Sequence, residues 1–397
     1  MIGRRSLLPM AAAILAGCTT LQRGEPVPRG RAGAVRLLGI ENARMYPDAA
    51  SHELTMREFM GAMARAGDPG GLDPGLPAVN LLAISGGGDN GAFGAGLLVG
   101  WTAAGTRPRF DLVTGVSTGA LTAPFAFLGP AYDGQLQAVY TDVERHEILR
   151  DRSLLAAVLE DALADNAPLY QTIARYLNQQ MLDRIAEGYA AGRLLFISTT
   201  DLDQQVPVFW NIGAIAASGH PDALDLVRRL LLASAAVPGA FPPQMLEVEV
   251  DGRTYQEMHV DGGAVAQAFL YPPPLGTIRQ RAMRERQRMR TINAWMIRNA
   301  RLDPEWNRIE RRVIPIVGRA ISTLIASSGY NDALRLWFQT QRDGIEFRLA
   351  YIGADFQAEH PAEFDQTYMR ALFRHGYERA RVGLTWDDRV PGFDTPR

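Results

Sequence analysis

The sequence feature that most constrains this chain is Gly-Val-Ser-Thr-Gly at residues 115–119, which directly follows an apolar run at 110–114. A Gly-x-Ser-x-Gly motif after a buried strand holds a serine hydroxyl on a sharp turn at the start of a helix, as acyl-transfer chemistry requires. Gly115 and Gly119 suit this turn because strand and helix approach too closely for a Cβ on either side. The motif predicts an α/β fold with Ser117 as the candidate nucleophile.

A glycine-rich loop precedes this motif. Residues 79–85 read as a short buried strand and run into Gly86, Gly87 and Gly88, followed by Asp-Asn-Gly and a helical stretch. Successive glycines leave backbone N–H groups uncovered at a helix N-terminus, where partial positive charge favours an anion. Such a loop can hold the oxyanion that forms when a serine attacks an ester carbonyl, and losing one donor typically costs roughly 100- to 1000-fold in rate.

A third motif supplies a carboxylate. Residues 255–260 read as a strand that ends in Asp261, which is followed by two glycines. An aspartate is ionised at neutral pH, since its ordinary pKa is about 3.9. It can therefore accept the serine proton. A carboxylate is a weaker base than imidazole, so a Ser–Asp pair relies on close geometry and on partial exclusion of water.

In this order, the three motifs resemble those of the patatin-like phospholipase family, as does the segment 233–243 ahead of the aspartate. The similarity covers about residues 79–275. It implies a three-layer α/β/α domain with a central, mostly parallel sheet, which hydrolyses acyl esters of lipids through a Ser–Asp dyad without a catalytic histidine. Carried over to this sequence, Ser117 is the nucleophile, Asp261 is the base, and the backbone of the three loop glycines forms the oxyanion hole.

One position departs from the family pattern. The family usually has Arg or Lys two residues after the third glycine, and this chain has Asn90. The missing cation weakens the case for a phosphate-bearing substrate more than the case for ester hydrolysis. Two alternatives stay open: a non-catalytic lipoprotein that binds acyl chains on a hydrolase scaffold, and a transacylase, which would use the same residues.

Histidines and the glycine loop offer rival interpretations. His259 shares a strand face with Asp261, so it is either a triad member or, as we favour, a strand histidine hydrogen-bonded near the site. His360 and His375 follow the aspartate, as in α/β-hydrolases, but fall in a predicted C-terminal helix, where we expect surface residues. The glycine loop also fits a dinucleotide fingerprint, which needs an acidic residue closing the next strand, whereas Asp111 opens it.

Composition excludes several classes of function. The chain has 397 residues, 47% of them apolar, which is enough for one elaborated domain or two. Its 41 basic and 43 acidic residues argue against a nucleic-acid partner. Every basic residue is arginine, so lysine Schiff-base and P-loop chemistry are excluded. The histidines form no His-x-x-x-His pair and there is one cysteine, so we expect neither a metal nor a cofactor.

The N-terminus resembles a bacterial lipoprotein signal. Arg4 and Arg5 precede an apolar stretch at 7–17, too short to span a bilayer, which ends in Leu-Ala-Gly followed by Cys18. This implies an exported protein of the cell envelope, lipidated at Cys18 and held on a membrane surface, because each buried CH₂ contributes about 0.8 kcal/mol. An ordinary cleaved signal with a chance cysteine is the alternative.

Pattern and composition divide the chain into a signal (1–18), a tether and lead-in with a short helix at 55–65 (19–78), a catalytic domain (79–275) and a C-terminal α/β extension packed on it (276–397). Strand patterns at 291–298 and 345–352 can extend the same sheet. An insert that includes Leu154, Leu155, Val158 and Leu159 is a candidate lid or acyl-chain wall, with core packing the favoured interpretation. The arginine-rich run at 279–290 could bind anionic head groups or phosphates, with a solvated helix face the favoured interpretation.

Overall fold

Strands and helices alternate through most of the chain. The structure is a computed structural model that describes residues 21–47, 51–152, 161–383 and 386–392. Cys18, the rest of the predicted signal, and the leucines of the candidate lid lie outside these ranges. The helices are α1 His52–Arg65, α2 Gly91–Ala103, α3 Thr118–Leu128, α4 Asp133–Thr141, α5 Ala167–Tyr176, α6 Gln179–Ala190, α7 Ile212–Ala217, α8 Ala223–Ser234, α9 Pro273–Arg284, α10 Val313–Arg342 and α11 Gln366–Arg381.

The strands are β1 Arg44–Met45, β2 Val79–Ile84, β3 Leu112–Val116, β4 Arg150–Asp151, β5 Ala164–Asp165, β6 Leu194–Asp201, β7 Val206–Asn211, β8 Gln244–Val250, β9 Arg253–Asp261, β10 Ile292–Arg298 and β11 Glu346–Tyr351. β11, β10, β2, β3 and β6 pair in parallel in that order and form the centre of the sheet. β7 and then β1 continue the sheet antiparallel, and β9, paired with β8, also joins β6 antiparallel.

Two apolar cores lie on the two faces of this sheet. Alternate residues of a strand point to opposite faces. In β2, Leu82 and Ile84 join a core with α2, α3, α4, α6, α8 and α11, whereas Leu81 and Ala83 join a core with α1, α9 and α10. Strands buried on both faces read as continuous apolar runs, which is why the sequence revealed them. The predicted three-layer α/β/α fold with a mostly parallel central sheet is confirmed.

The C-terminal part is built into the same sheet. β10 pairs with β2 and β11 with β10, so residues beyond 275 supply two of the central parallel strands. α11 packs directly on α2: a Cβ at Gly96 would overlap the carbonyl oxygen of Phe373, and one at Gly100 would overlap that of Tyr377. Glycines at these positions allow the two helix backbones to touch.

The lead-in is docked on the domain in its described part. Arg44 of β1 pairs with Trp210, and its buried guanidinium lies 2.6 Å from Glu257 Oε2. Arg23 forms an ion pair with Asp203 at 2.7 Å. Residues 21–47, which composition suggested were tether, therefore contribute a strand and a buried ion pair to the folded unit. The composition gave no sign of this, because the contacts join segments about two hundred positions apart in sequence.

Candidate active site

Ser117 and Asp261 come together because two strands meet end to end along one edge of β6. β3 runs parallel to β6, and its last residue, Val116, pairs with Ser198. β9 runs antiparallel, and its last residue, Asp261, pairs with Thr199. β7 covers the other edge of β6 over the same residues, so β3 and β9 share an edge. Ser117, one residue beyond β3, therefore faces the end of β9.

Ser117 has a strained backbone. Its φ of 55° and ψ of −127° lie in a region that non-glycine residues rarely occupy, and such strain is characteristic of active-site turns. The Ser117 N–H donates to Ser234 Oγ at 3.0 Å, and the Ser234 hydroxyl donates to the Ser198 carbonyl at 2.7 Å. The strained turn is thus held by α8 and β6. Ser117 is 7% exposed, so little solvent reaches its hydroxyl.

Close backbone packing explains the two glycines that flank this serine. A Cβ at Gly115 would overlap the carbonyl oxygen of Gly119, and a Cβ at Gly119 would overlap that of Ile84. Any side chain at either position would push α3 away from β2 and β3. Gly115, in β3, and Gly119, in α3, thus allow strand and helix to approach closely on either side of Ser117.

Asp261 is a buried carboxylate directed at this turn. Its Oδ1 accepts a hydrogen bond from the Gly263 N–H at 2.7 Å. Burial raises the pKa of Asp261 to about 6, and hydrogen bonds from the Ser117 hydroxyl and the Gly263 N–H lower it without offsetting burial. Its Oδ2 is buried and has no regularly aligned partner among the described residues. The Ser117 hydroxyl is thus near enough to influence the protonation of this carboxylate.

The glycine loop lies against the nucleophile. A Cβ at Gly86 would sit 3.2 Å from the Ser117 Cβ. The Gly86 N–H already donates to the Gln267 carbonyl at 3.3 Å. The N–H groups of Gly87 and Gly88 have no acceptor within the described ranges, and the space where a Cβ of Gly88 would point is open. Of the three amides predicted for the oxyanion hole, those of Gly87 and Gly88 are therefore the available donors.

The first turn of α11 and the segment ahead of it fix the rest of this loop. Asp89 Oδ2 accepts from His360 Nε2 at 2.7 Å and from the Phe364 N–H at 2.8 Å. Asn90 Oδ1 accepts from the Tyr368 hydroxyl at 2.6 Å, and Tyr368 stacks on the His360 ring. Asn90, at the position where the family usually has a cation, is thus engaged in holding the loop.

The expectation of surface histidines in a C-terminal helix was wrong in two respects. His360 is exposed on one side, but it lies in the loop before α11 and binds Asp89. His375 does lie in α11, but its side chain is largely buried beside Phe93 and Phe356. The cause is the close packing of α11 on α2, which brings both residues towards the catalytic half of the molecule.

His259 belongs to a buried polar network beside the candidate site. Its Nδ1 lies 2.9 Å from Thr199 Oγ1 and its Nε2 lies 3.1 Å from Glu257 Oε2, so its ring is engaged away from Ser117 and Asp261. This agrees with the favoured interpretation of a strand histidine. Burial acts to raise the pKa of Glu257, but hydrogen bonds from His259 and Arg44 outweigh it and hold that pKa at about 2.

The same network contains a metal-like cluster. Ligand atoms of Asp201, Glu257 and His259 lie within 4.8 Å of one another in the described part of the chain. Both oxygens of Glu257 bind the Arg44 guanidinium, at 2.6 and 3.2 Å. Arg44 thus already supplies the positive charge that these carboxylates would otherwise draw from an ion.

Sequence reasoning did not identify Ser234 and Gln267 as site residues. Gln267 joins three parts of the site: its carbonyl accepts from Gly86, its Nε2 donates to the Gly263 carbonyl at 2.9 Å, and its N–H donates to Asp332 of α10 at 2.7 Å. Its position four residues after Gly263 was the available signal. No spacing rule connects it to the glycine loop.

The chain is similar to known proteins at the level of a family model. The family model for patatin-like phospholipases matches residues 82–272, a range that contains the glycine loop, Ser117 and Asp261. The crystal structure of VipD from Legionella pneumophila is similar over 78% of this chain and 67% of that chain, at 11% identity and a TM-score of 0.37. No curated protein sequence matches the chain.

Proposed function

We propose that this chain, which carries a patatin-like phospholipase domain at residues 82–272, hydrolyses carboxylic esters of lipids through a Ser117–Asp261 dyad and an acyl-enzyme. The observation that carries the proposal is the end-to-end meeting of β3 and β9, which sets a strained serine against a buried carboxylate. A buried carboxylate with a raised pKa is the tuning that a general base near neutral pH needs.

In the first half of the reaction, Ser117 Oγ attacks the ester carbonyl while its proton passes to Asp261. The N–H groups of Gly87 and Gly88 stabilise the oxyanion, because they are unpaired donors at the start of a helix. Collapse of the tetrahedral intermediate breaks the ester bond, and Asp261 returns the proton to the departing alcohol. The acyl group remains on Ser117.

In the second half, water replaces the alcohol. Asp261 takes a proton from this water as it attacks the acyl-enzyme, the same glycine amides hold the second oxyanion, and Ser117 recovers its proton as the carboxylic acid leaves. The low exposure of Ser117 and Asp261, 7% and 4%, keeps bulk water from the dyad and strengthens each of these contacts. If a second lipid alcohol replaced water, the same residues would perform transacylation.

The test compares variants on a short aryl ester. Ser117→Ala and Asp261→Asn should each lower kcat by roughly 1000-fold or more, because each removes a group that acts in both halves of the reaction. Ser218→Ala, at an exposed serine, is the matched control and should keep wild-type activity. Turnover retained in either dyad variant would refute the mechanism.

A fluorophosphonate probe separates enzyme from binder. Stoichiometric labelling that is lost in Ser117→Ala and kept in Ser218→Ala supports the hydrolase. Folded protein that takes up no label supports an acyl-chain-binding lipoprotein instead. Mass spectrometry of products from a lipid panel then distinguishes free fatty acid from acyl transfer to another lipid.

The N-terminal anchor is a separate proposal. We propose that Cys18 is lipidated and fixes the exported protein to a membrane, on the pattern of small residues before it and the arginines ahead of the apolar stretch. Metabolic labelling with a palmitate analogue in a bacterial host should mark the full chain, and Cys18→Ser should abolish the mark. Equal labelling of both forms would refute the anchor.

A further inference from the structure

The N-terminal half of α10 carries an apolar face that no described residue covers. Among its described side chains, the large apolar ones that are exposed lie on one helix face of about 140°, since successive residues are about 100° apart. They are Val313 (76% exposed), Ile316, Val317, Ile321 and Leu324 (70%). Trp306, in the loop ahead of the helix, is 89% exposed. These six residues are the apolar stripe.

Positive charge accompanies the apolar stripe. From 306 to 331 the chain has four arginines, at 308, 311, 312 and 319, and a single acid, Glu310. Arg308, Arg311 and Arg312 are exposed beside the start of the helix. No acidic side chain follows until Asp332. An apolar helix face with tryptophan and arginine at its border is the pattern of a helix that lies in a membrane interface.

The apolar stripe projects from the active-site end of the sheet. α10 ends at Arg342, shortly before β11 begins, so it runs antiparallel to the parallel strands and its N-terminal half lies at their carboxyl ends. Arg298, the last residue of β10, donates to the Ala326 carbonyl at 3.1 Å. The helical residues of the stripe, from 313 to 324, therefore lie between about 3 and about 20 Å along the helix beyond this contact.

The same helix touches the candidate site. Asp332 accepts from the Gln267 N–H at 2.7 Å and the Ala268 N–H at 3.3 Å, and the Gln267 carbonyl accepts from Gly86 of the glycine loop. Two hydrogen-bonded steps thus connect α10 with the loop beside Ser117. A surface that met the stripe would lie on the side of the molecule that holds the candidate dyad.

We propose that the apolar stripe docks on a lipid bilayer with anionic head groups. The apolar side chains enter the boundary between head groups and acyl chains, and Arg308, Arg311 and Arg312 bind lipid phosphates. The choice of a lipid partner rests on the proposed function, because an enzyme for lipid esters must meet its substrate at an interface. In the part of the chain that the structure describes, no helix is both long and apolar enough to cross a bilayer.

The test measures binding without turnover. Ser117→Ala protein is floated with vesicles of phosphatidylglycerol and phosphatidylcholine, and with phosphatidylcholine alone. Adding Val313→Asn and Leu324→Asn should weaken binding to the anionic vesicles by roughly tenfold or more, because two apolar contacts with the bilayer are lost. The matched control, Ser322→Asn with Ala326→Asn, changes exposed positions on the opposite face and should weaken binding by less than about threefold.

Further outcomes decide the partner. If the stripe and control variants bind vesicles equally well, the proposal is overturned. If the protein binds both kinds of vesicle equally well, the preference for anionic head groups is overturned. A wild-type dimer in solution that the stripe variant dissociates would assign the stripe to a second copy and overturn the lipid assignment. Trp306→Ala, outside the helix, gives a second loss of binding that does not depend on helix stability.

Failure of the proposed function would give a different result. If the protein binds vesicles through the stripe but hydrolyses no ester, the hydrolase is refuted and the docking surface stands. If the stripe variant with Ser117 intact keeps its rate on a soluble aryl ester within about twofold but loses activity on vesicles, docking and chemistry are separate properties, as expected for a peripheral contact.

Discussion

Ser117 and Asp261 stand at the ends of two strands that abut along the same edge of β6, at Ser198 and Thr199. Backbone pairing therefore fixes the distance between candidate nucleophile and base. A carboxylate positioned in this way does not need a histidine to bridge it to the serine. What it does need is a raised proton affinity, and burial supplies that.

The first prediction concerns the pH dependence of hydrolysis. In the proposed mechanism Asp261 acts in its ionised form, and burial raises its pKa to about 6, so kcat/KM on an aryl ester should fall about tenfold per pH unit below pH 6. With an unperturbed aspartate, this fall in kcat/KM would begin near pH 4. The measurement is a pH profile of wild type beside His360→Gln, which removes the histidine that contacts Asp89 of the glycine loop. If the fall in kcat/KM below pH 6 disappears in the histidine variant, His360 and not Asp261 causes it.

The second prediction concerns stability. The pKa of Asp261 is higher in the folded than in the unfolded chain, so its ionised form opposes folding and protonation favours it. Asp261→Asn should therefore raise the free energy of unfolding by about 1–3 kcal/mol at pH 8, with the gain declining through pH 6 and vanishing near pH 4. Asn Oδ1 can still accept from Gly263. Urea unfolding at the three pH values checks this, and a variant that is less stable at pH 8 contradicts it.

The third prediction concerns the support of the glycine loop. Asp89→Ala removes the acceptor for both His360 and the Phe364 N–H. Because the loop N–H groups would then no longer point at the oxyanion, kcat should fall roughly 10- to 100-fold with a smaller change in KM. His360→Ala should cost less, because the Phe364 contact remains. Tyr368→Phe loses only the bond to Asn90 and should have the smallest effect of the three. If Asp89→Ala changed KM alone, the loop would act in substrate binding and not in stabilising the oxyanion.

Local sequence signals identified most of the central sheet and the candidate residues. The strands at 79–84 and 112–116 are apolar because both faces are buried, and the glycines that flank Ser117 predict the strained turn. No local pattern predicts the long-range contacts. Neither the occupation of the Gly86 amide by Gln267 nor the bond between His360 and Asp89 has a local pattern, because the partners are 181 and 271 positions apart in the chain and meet only after folding.

The fourth prediction concerns the docked lead-in. Arg44→Ala leaves Glu257 buried without its cation and should lower the free energy of unfolding by roughly 3–5 kcal/mol at pH 7. The folded pKa of Glu257 is about 2, below its ordinary value of 4.5, so its contribution is present above pH 4.5 and declines as the pH falls towards 2. The loss caused by Arg44→Ala should shrink accordingly at pH 3.

Arg44→Met with Glu257→Leu should recover most of the stability, and neither form should lose activity per folded molecule, because this pair does not contact Ser117. Urea unfolding of the three proteins decides the matter: a midpoint unchanged by Arg44→Ala would mean that residues 21–47 add nothing to the fold and act as the tether their composition suggested.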